Sequence, residues 1–399
     1  MADKRDNDIV LAAPVRTPIG KFGGALASLT AADLGTAAAQ GALERAGLDP
    51  SKVDQVIFGH GRQAGGGPNT ARQIAFRAGV PVERTAYTIN QACASGLQAV
   101  LSAARTIMTG EARVVLAGGT ESMSNTPYLL PRARWGYRMG HAEIVDGMYK
   151  DGFNCPLAEI AMGETAEELA QEMGISREAS DAYALESQLR CERARAEGRF
   201  ESEIVPVTVP GRKGDTVMSR DEHPRDGTTL ESLTKLPTVF RKGGAVTAGN
   251  ASGITDGAAA IVVASRAAAL ELGLPVVARL VGWEVVGVEP RIMGIGPVPA
   301  VRRLLEKTGL DPSAIDEVEL NEAFACQVLA CNQELGFDSA RVNPDGGAIA
   351  LGHPIGATGA RVLVTLLHGM EKRGGERGIA TLCVSGGLGI AALVEREAA

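Results

Sequence analysis

Two copies of one ten-residue phrase lie 262 residues apart in this 399-residue chain. GLDPSKVDQV at residues 47–56 returns as GLDPSAIDEV at residues 309–318, with seven of ten positions identical. Each copy follows a helical pattern and leads into an apolar strand pattern. One phrase could match by chance, but small-residue helix starts at 94–96 and 357–359, each followed by an apolar strand, recur in the same order. The repetition predicts a duplicated domain, and its period is too long for a solenoid.

Short apolar runs alternate with helical patterns through the first 120 residues, which is typical of a layered α/β domain. Strands are predicted at 9–13, 53–58, 86–89 and 113–117, and helices at 31–46, 70–78 and 96–108. Thr30 is expected to cap the first helix and Gly47 to end it.

Residues from about 120 to 250 differ in character from both halves. Two charged amphipathic helices are predicted there, at 164–172 and 177–195, among loops rich in Gly, Pro and Arg. An insertion over a rigid scaffold is a usual place for substrate-binding loops.

Composition excludes several classes of protein. The chain is 45% hydrophobic and 22% charged, as in ordinary globular proteins. A net charge of −7 and 4% aromatic residues make a general nucleic-acid binder unexpected. No apolar run approaches the roughly 18 residues of a membrane helix, and residues 1–10 do not resemble a secretory signal. We therefore expect a cytoplasmic protein with neither a membrane nor a nucleic-acid partner.

The six cysteines include no C-x-x-C pair, which argues against a zinc site or a redox dithiol. Cys93 lies between a predicted strand and a predicted helix, where free N–H groups and the helix dipole favour a thiolate. A cysteine in an Ala-rich stretch is more often a small buried hydrophobic residue, so its position alone is only suggestive.

His353 lies in GGAIALGHPIGATG at residues 346–359, where glycines and a proline surround a single imidazole. The small residues let the loop backbone approach a neighbouring group closely, whereas a core histidine would normally be packed by large side chains. This setting favours a functional imidazole over a core one. Such an imidazole could take the proton of Cys93.

Three other motifs remain open from the residues alone. Cys383 ends an apolar strand and could be structural or a second reactive thiol. The G-x-G-x-x-A pattern at 387–392 is rejected as a dinucleotide fingerprint because only seven residues follow it. Asn321 could polarise a carbonyl, orient a water or cap a helix. Residues 247–253 could contact a ligand or form an ordinary turn.

Five phrases together resemble the thiolase family, and the resemblance covers essentially the whole chain. They are NQACASG (90–96), TAGNASG (247–253), NEAFA (321–325), GGAIALGHPIGATGAR (346–361) and CVSGGLG (383–389). The resemblance implies an α/β fold with duplicated βαβαβαββ halves, a five-layered α/β/α/β/α core and an inserted loop domain. The expected bounds are 1–120 with 246–275 for the first half, 121–245 for the loop domain and 276–399 for the second half.

The resemblance also implies a chemistry: reversible ping-pong Claisen condensation of two acetyl-CoA molecules to acetoacetyl-CoA and CoA. Cys93 would be the acylated nucleophile, and His353 would activate it. Cys383 would be the acid/base at the α-carbon, and Asn321 would hold a water in an oxyanion hole. The backbone N–H groups of Cys93 and Ser385 would be the other oxyanion donors. No metal or cofactor is expected.

The same resemblance implies contacts to the CoA thioester. They are expected from Arg225, Ser252, Ala248, Phe240, Met162, Phe324 and Met293. It also implies a homodimer or homotetramer, for which the Arg-rich segment 131–138 is a candidate assembly contact. Each of these residues taken separately could equally be a surface or core residue.

Three positions depart from the family pattern. Ala161 replaces a histidine found in several acetyl-specific members, Phe153 a common leucine, and Ser385 a common glycine. The first two leave acyl chain length open, so a 3-ketoacyl-CoA thiolase of fatty-acid β-oxidation is an alternative. A non-catalytic thiolase-fold partner in an acyl-CoA complex would be expected to lack a reactive residue. A carrier-protein-dependent condensing enzyme would usually lack the second cysteine.

Overall fold

A computed structural model describes residues 8–397. The expectation about a secretory signal concerns residues 1–10, and residues 1–7 lie outside the described range. Between residues 8 and 397, no helix is both long and apolar enough to cross a membrane.

Helices and strands alternate along most of the described chain. The helices are α1 (Ala31–Ala46), α2 (Thr70–Arg77), α3 (Ser95–Met108), α4 (Met162–Met173), α5 (Arg177–Ala196), α6 (Leu230–Thr234), α7 (Arg266–Leu272), α8 (Pro297–Thr308), α9 (Ala325–Leu335), α10 (Ala348–Leu351) and α11 (Ile355–Arg373). The strands of the main sheet are β1 (Ile9–Arg16), β2 (Gly20–Lys21), β3 (Gln55–His60), β4 (Thr85–Ile89), β5 (Val114–Ser122), β12 (Thr255–Ser265), β13 (Val276–Gly287), β14 (Glu317–Leu320), β15 (Arg377–Val384) and β16 (Leu388–Arg396). Three small hairpins lie between β5 and β12: β6 (Tyr128–Leu129) with β7 (Val145–Asp146), β8 (Asn154–Cys155) with β9 (Ile160–Ala161), and β10 (Val207–Val209) with β11 (Thr216–Met218).

The predicted helix at 31–46 is confirmed at both ends. Thr30 caps α1 by accepting a hydrogen bond from the Asp33 backbone N–H, and the Asp33 carboxylate accepts one from the Thr30 N–H. Gly47 ends the helix in the left-handed region, with φ of 59°.

The repeated phrase forms the same structure twice. Gly47 and Gly309 end α1 and α8 in left-handed conformations, with φ of 59° and 68°. Asp49 and Asp311 then each cap a short 3-10 turn by accepting a hydrogen bond from a serine backbone N–H two residues later. The phrase therefore ends a helix and directs the chain into a strand at both places.

The second acidic position of the phrase has a matching role in each half. The Asp54 carboxylate accepts hydrogen bonds from the backbone N–H groups of Arg113 and Val114, at the start of β5. The Asp316 carboxylate accepts them from Glu376 and Arg377, at the start of β15. Both copies of the phrase have aspartate here because its carboxylate binds backbone N–H groups at the start of a neighbouring strand.

Strand pairing confirms the duplication. In the first half, β1 pairs with β12 and β12 with β5, both antiparallel, and β5 pairs with β3 in parallel. In the second half, β13 pairs with β16 and β16 with β15, both antiparallel, and β15 pairs with β14 in parallel. Strand β4 pairs with β3 and extends the sheet of the first half. At the equivalent edge of the second half, within the described residues, a parallel bridge between Val318 and Val342 takes the place of such a strand. An antiparallel β1–β13 contact joins the halves.

Successive side chains of a strand point to opposite faces of the sheet and pack against different helices, which produces the five layers. Val114 and Leu116 of β5 pack with α1 and α2, while Val115 on the opposite face packs with α3 and α11. In β16, Leu393 packs with α8 and α9, and Ala392 faces the central helices. The order is therefore outer helices, first half-sheet, α3 with α11, second half-sheet and outer helices. The exact domain bounds stay a prediction.

Glycines let the two central helices approach each other closely. A Cβ added to Gly96 of α3 would lie 2.7 Å from the Ala360 backbone nitrogen of α11. A Cβ added to Gly359 of α11 would lie 2.5 Å from the Leu97 backbone nitrogen of α3. These glycines occupy equivalent places in the two halves, so the contact is nearly symmetric.

We predict that Gly359→Ala destabilises the fold although alanine favours a helix. The added methyl meets backbone rather than a flexible side chain, so we expect a loss of about 1–3 kcal/mol in the free energy of unfolding. Urea denaturation followed by circular dichroism measures it. Gly287→Ala is the matched control, since nothing lies within 4 Å of its added Cβ. Equal stability of the two variants would contradict a tight helix contact.

Candidate active site

Cys93 lies in a locked turn directly before α3. The turn spans Ala92–Ala94, and Ala92 has a left-handed φ of 45°, a strained conformation for a residue with a Cβ. The Asn90 side chain accepts a hydrogen bond from the Ala92 N–H at 3.0 Å. Ser95 Oγ accepts one from the Gln91 N–H at 2.9 Å and donates to the Ala92 carbonyl at 2.7 Å. The thiol is therefore held at the helix start, as its position in the sequence suggested.

His353 lies between α10 and α11, two residues before the start of α11. Its Nδ1 lies 2.6 Å from Thr358 Oγ1, and that hydroxyl donates to the Pro354 carbonyl at 2.9 Å. Because the hydroxyl proton is used, Nδ1 must be the donor, and Nε2 carries the free lone pair. In the described chain, Nε2 is buried and has no hydrogen-bond partner.

Burial, together with the positive charges of Arg361 and Arg62, lowers the pKa of His353 to about 3. The imidazole is therefore neutral at physiological pH. An unpartnered, neutral ring nitrogen can accept a proton from a neighbouring thiol.

One cavity of about 210 Å³ brings the sequence-predicted residues together. Cys93, His353, Cys383 and Ser385 all line it. The predicted contacts Met162, Phe240, Ser252, Met293 and Phe324 also line it. Arg225 and Ala248 do not; both lie exposed on the surface.

The two cavity thiols are both less acidic than ordinary cysteines. Burial raises the pKa of Cys93, and the charge of Arg62 and the backbone N–H groups of Ser385 and Cys93 oppose the rise. Protein atoms pack around Cys93, but the residue is only half-buried because one side of it faces the cavity. Burial raises the pKa of Cys383 well above its usual value, and the nearby Cys93 adds to the effect. Cys383 as a thiolate would be a strong base.

Strands β15 and β16 form a hairpin, and this agrees with rejecting a dinucleotide site at 387–392. Cys383 is near the end of β15, pairs with Gly389 of β16, and is followed by a turn through Gly386 and Gly387. The residues after this turn form a strand up to Arg396. The turn places the Ser385 backbone at the cavity wall.

Asn321 is not the cap of a helix, so that alternative is wrong. Phe324 is the residue that precedes α9, and no side chain caps the helix there. Asn321 follows β14, is 1% exposed, and both its amide atoms lack a hydrogen-bond partner in residues 8–397. It is not among the residues that line the cavity.

Its neighbour Glu322 has a structural role. The carboxylate accepts hydrogen bonds from the Tyr183 hydroxyl at 2.8 Å, the Ser187 hydroxyl at 2.7 Å and the Ile349 N–H at 3.0 Å. These contacts fasten α5 of the insertion to the loop that carries the imidazole.

Sequence reasoning missed several residues of the cavity wall. Arg62, Tyr149, Gly152, Gly163 and Ile254 lie outside every motif of the sequence analysis, whereas Ala92, Ala251, Ala323 and Ile355 lie inside motifs but were not named as site residues. It named Ala161 and Phe153 only as departures from the family pattern, and both line the cavity. The available signal for Arg62 was its place just after a predicted strand of a parallel pair, where ligand sites form.

Glu121 was also missed, and it connects the two halves beneath the cavity. This buried carboxylate accepts hydrogen bonds from the backbone N–H groups of Gly61 and Arg62, both at 3.1 Å, and Gly356 at 2.8 Å. Its other neighbour is His60 Nε2 at 3.2 Å. Burial would raise the pKa of Glu121, but the hydrogen bond and charge of His60, the charge of Arg62 and the Gly356 N–H together outweigh it and lower the pKa. Glu121 is thus an ionised clamp between the loop after β3 and the start of α11.

Two protein-family models match this chain and together cover most of it. Residues 9–267 match the family described as Thiolase, N-terminal domain, and residues 274–396 match Thiolase, C-terminal domain. The chain belongs to the thiolase family.

Individual relatives cover nearly the whole chain. An acetyl-CoA acetyltransferase of Cupriavidus necator is 50% identical over 391 residues, 98% of this chain and 100% of the relative. The crystal structure of the Bacillus anthracis acetyl-CoA acetyltransferase superposes with a TM-score of 0.96 at 48% identity, covering 98% of this chain and 99% of that one. The structure of human mitochondrial 3-ketoacyl-CoA thiolase in complex with CoA has a TM-score of 0.94 at 42% identity, with 99% coverage of both chains.

We predict that iodoacetamide alkylates Cys93 before any other cysteine. The other five thiols are buried, whereas Cys93 opens to the cavity. Because burial raises its pKa, the alkylation rate should keep rising above about pH 8.5, the usual pKa of a cysteine. Peptide mass spectrometry locates the label, and Cys93→Ser is the control. First labelling elsewhere, or a rate that is flat from pH 7, would contradict this description of the site.

Proposed function

We propose that this protein is an acetyl-CoA C-acetyltransferase, which joins two acetyl-CoA molecules into acetoacetyl-CoA and free CoA, and catalyses the reverse cleavage. The observation that carries the proposal is the meeting of two thiols and one neutral imidazole in one cavity. Membership of the thiolase family and relatives with that name support it.

In the proposed first half-reaction, Cys93 takes the acetyl group. Its sulfur attacks the thioester carbonyl carbon while its proton passes to Nε2 of His353. The bond between the carbonyl carbon and the CoA sulfur then breaks, and the CoA thiolate leaves with the proton from His353. The resting pair is a neutral thiol and a neutral imidazole, since burial disfavours both charged forms.

In the proposed second half-reaction, Cys383 is the base. Its proton passes to His353, and the thiolate removes the α-proton of a second acetyl-CoA. The resulting carbanion attacks the acetyl carbonyl on Cys93 and forms the carbon–carbon bond. The Cys93 thiolate leaves and recovers its proton from His353. A weakly acidic α-carbon needs a strong base, and the raised pKa of Cys383 supplies one.

Oxyanions would form at two places in this cycle. The backbone N–H groups of Cys93 and Ser385 are the proposed donors for the tetrahedral intermediate at Cys93, because both already act on that thiol. Asn321, with its two unpartnered amide atoms, would hold a water that, with His353, stabilises the enolate. Losing one such donor typically costs about 100- to 1,000-fold in rate.

Thioester binding is proposed to involve the cavity and the surface next to it. Met162, Phe240, Met293 and Phe324 would contact the reactive end, and Ser252 the pantetheine. Phe240 packs directly on Gly163, where a Cβ would lie 2.0 Å from its ring. The exposed Arg225 and Ala248 would contact the rest of CoA. No metal or organic cofactor is required by this mechanism, and this expectation stays a prediction.

Assembly and location are also proposed. Large apolar side chains are exposed between residues 130 and 144: Leu130, Trp135, Tyr137, Met139 and Ile144. Trp135 is 83% exposed and Met139 97%. An exposed apolar segment of this kind is typical of an interface between protein chains. This supports a homotetramer, or a homodimer, through the segment expected at 131–138, in a cytoplasmic enzyme.

The alternative is a 3-ketoacyl-CoA thiolase of broader chain length. One observation favours it: Ala161, where several acetyl-specific members have a histidine, and Phe153, where leucine is common in the family, both line the cavity. A non-catalytic partner is disfavoured, because Cys93, His353 and Cys383 share the cavity and Asn321 is also present.

Thiolysis with free CoA tests the proposal, comparing acetoacetyl-CoA with a medium-chain 3-ketoacyl-CoA. We predict a higher kcat/KM for acetoacetyl-CoA. An apolar pocket discriminates about 10- to 200-fold per methylene, so the difference should be measurable. Faster cleavage of the longer substrate would transfer the assignment to the broader thiolase. CoA binding without cleavage of either substrate would favour the non-catalytic partner. The Cys93→Ser variant is the control for background cleavage.

A further inference from the structure

Arg62 is a buried cation in the cavity wall. The residue is 9% exposed and lines the cavity beside Cys93 and His353. Its Nε is buried without a hydrogen-bond partner, and within residues 8–397 no carboxylate forms an ion pair with its guanidinium. A buried guanidinium normally requires a partner for its planar set of N–H donors.

Each of the other buried arginines of the described chain has a carboxylate beside its guanidinium. Arg16 contacts Glu203 at 2.5 Å and Asp221 at 2.6 Å. Arg361 faces Glu319 at 3.5 Å, although its Nε and Nη1 also lack a hydrogen-bond partner. Arg62 differs from both, because its side chain is directed to a cavity rather than to a carboxylate.

The negative charge of Glu121 compensates the positive charge of Arg62. Within the described residues, its carboxylate accepts the Arg62 backbone N–H but no hydrogen bond from the guanidinium. That carboxylate already accepts three backbone N–H groups, of Gly61, Arg62 and Gly356, and lies 3.2 Å from His60. It therefore lowers the cost of burying the guanidinium but leaves the side-chain N–H groups available. An ionised carboxylate has two oxygens whose geometry matches such a guanidinium.

Gly152 makes the position of the guanidinium possible. A Cβ at residue 152 would lie 2.0 Å from Arg62 Nη2, so the absence of a side chain there lets the guanidinium lie against the backbone. Tyr149 and Phe153, whose rings meet edge to face with centroids 5.5 Å apart, line the same part of the cavity. Aromatic and apolar side chains around one charged group suit a short methylene chain with a charged end.

We propose that Arg62 is a specificity-determining residue, which makes the cavity accept 3-ketoacyl-CoA substrates whose short acyl chain ends in a carboxylate. This inference rests on the proposed thiolase function and adds a substrate class to it. The sulfur of Cys93 attacks the ketone carbon while its proton passes to His353, which later returns it to Cys383, and the bond between carbons 2 and 3 breaks. Acetyl-CoA leaves after its α-carbon takes a proton from Cys383. The CoA thiol then removes the dicarboxylic acyl group from Cys93, and the distal carboxylate stays unchanged throughout.

The test compares two six-carbon substrates in thiolysis: 3-oxoadipoyl-CoA, which ends in a carboxylate, and 3-oxohexanoyl-CoA, which ends in a methyl group. The readout is the ratio of their kcat/KM values, measured together with acetoacetyl-CoA. The wild-type protein should prefer the carboxylate substrate. Arg62→Leu should lower the ratio by roughly 10- to 150-fold, the range for a hydrogen bond to a charged group. Arg62→Lys should lower it less, since it keeps the charge but not the planar donors.

A second variant leaves the arginine in place. Gly152→Ala should displace the guanidinium and lower the ratio in the same direction, so the test survives if Arg62→Leu does not fold. Arg303→Leu, which removes one exposed positive charge from α8, is the matched control and should keep the wild-type ratio. Circular dichroism checks the fold of each variant.

The outcomes separate this inference from the proposed function. Cleavage of acetoacetyl-CoA without a preference for 3-oxoadipoyl-CoA would overturn the inference alone. An equal loss on both six-carbon substrates in Arg62→Leu would also overturn it, and would assign Arg62 to the electrostatics of Cys93. No cleavage of any of the three substrates would overturn the proposed function itself.

Discussion

The contact between α3 and α11 determines where this protein can have a site. Gly96 and Gly359 each face backbone of the other helix, so the two helices pack more closely than any side chain would permit. Glycine within a helix is destabilising by roughly 0.5–1 kcal/mol relative to alanine, and tight central packing offsets this cost. Each helix begins next to one residue of the proposed catalytic pair. Bringing the helix starts together brings Cys93 of the first half to His353 of the second.

Burial then defines the chemistry of the cavity. It raises the pKa of both thiols and lowers that of His353, so the groups are neutral at rest. Protons can therefore move among them without a permanent ion pair in an apolar space. Two charged residues lie close to these groups: Arg62 in the cavity wall and Glu121, which binds the Arg62 backbone. Glu121 is satisfied by backbone N–H groups, whereas the guanidinium of Arg62 faces the cavity.

Local signals made much of the fold predictable. The capping of α1 by Thr30, its end at Gly47 and the repeated phrase all act over a few residues, and they hold in the structure. The family resemblance supplied the five-layer order and the catalytic roles, of which the structure brings Cys93, His353 and Cys383 together. The position of Arg62 and the clamp by Glu121 depend on contacts between segments far apart in sequence. No local pattern encodes such contacts, and the left-handed Ala92 likewise depends on its surroundings.

In the proposed cycle, two thiols in one cavity have different tasks. The most direct measurement compares acyl exchange between labelled CoA and acetyl-CoA with carbon–carbon bond formation, in Cys93→Ser and Cys383→Ala. The account predicts that Cys93→Ser loses both activities. It predicts that Cys383→Ala keeps the exchange but loses condensation, because only the second half-reaction needs that base. Equal loss of both activities in both variants would contradict this division of tasks.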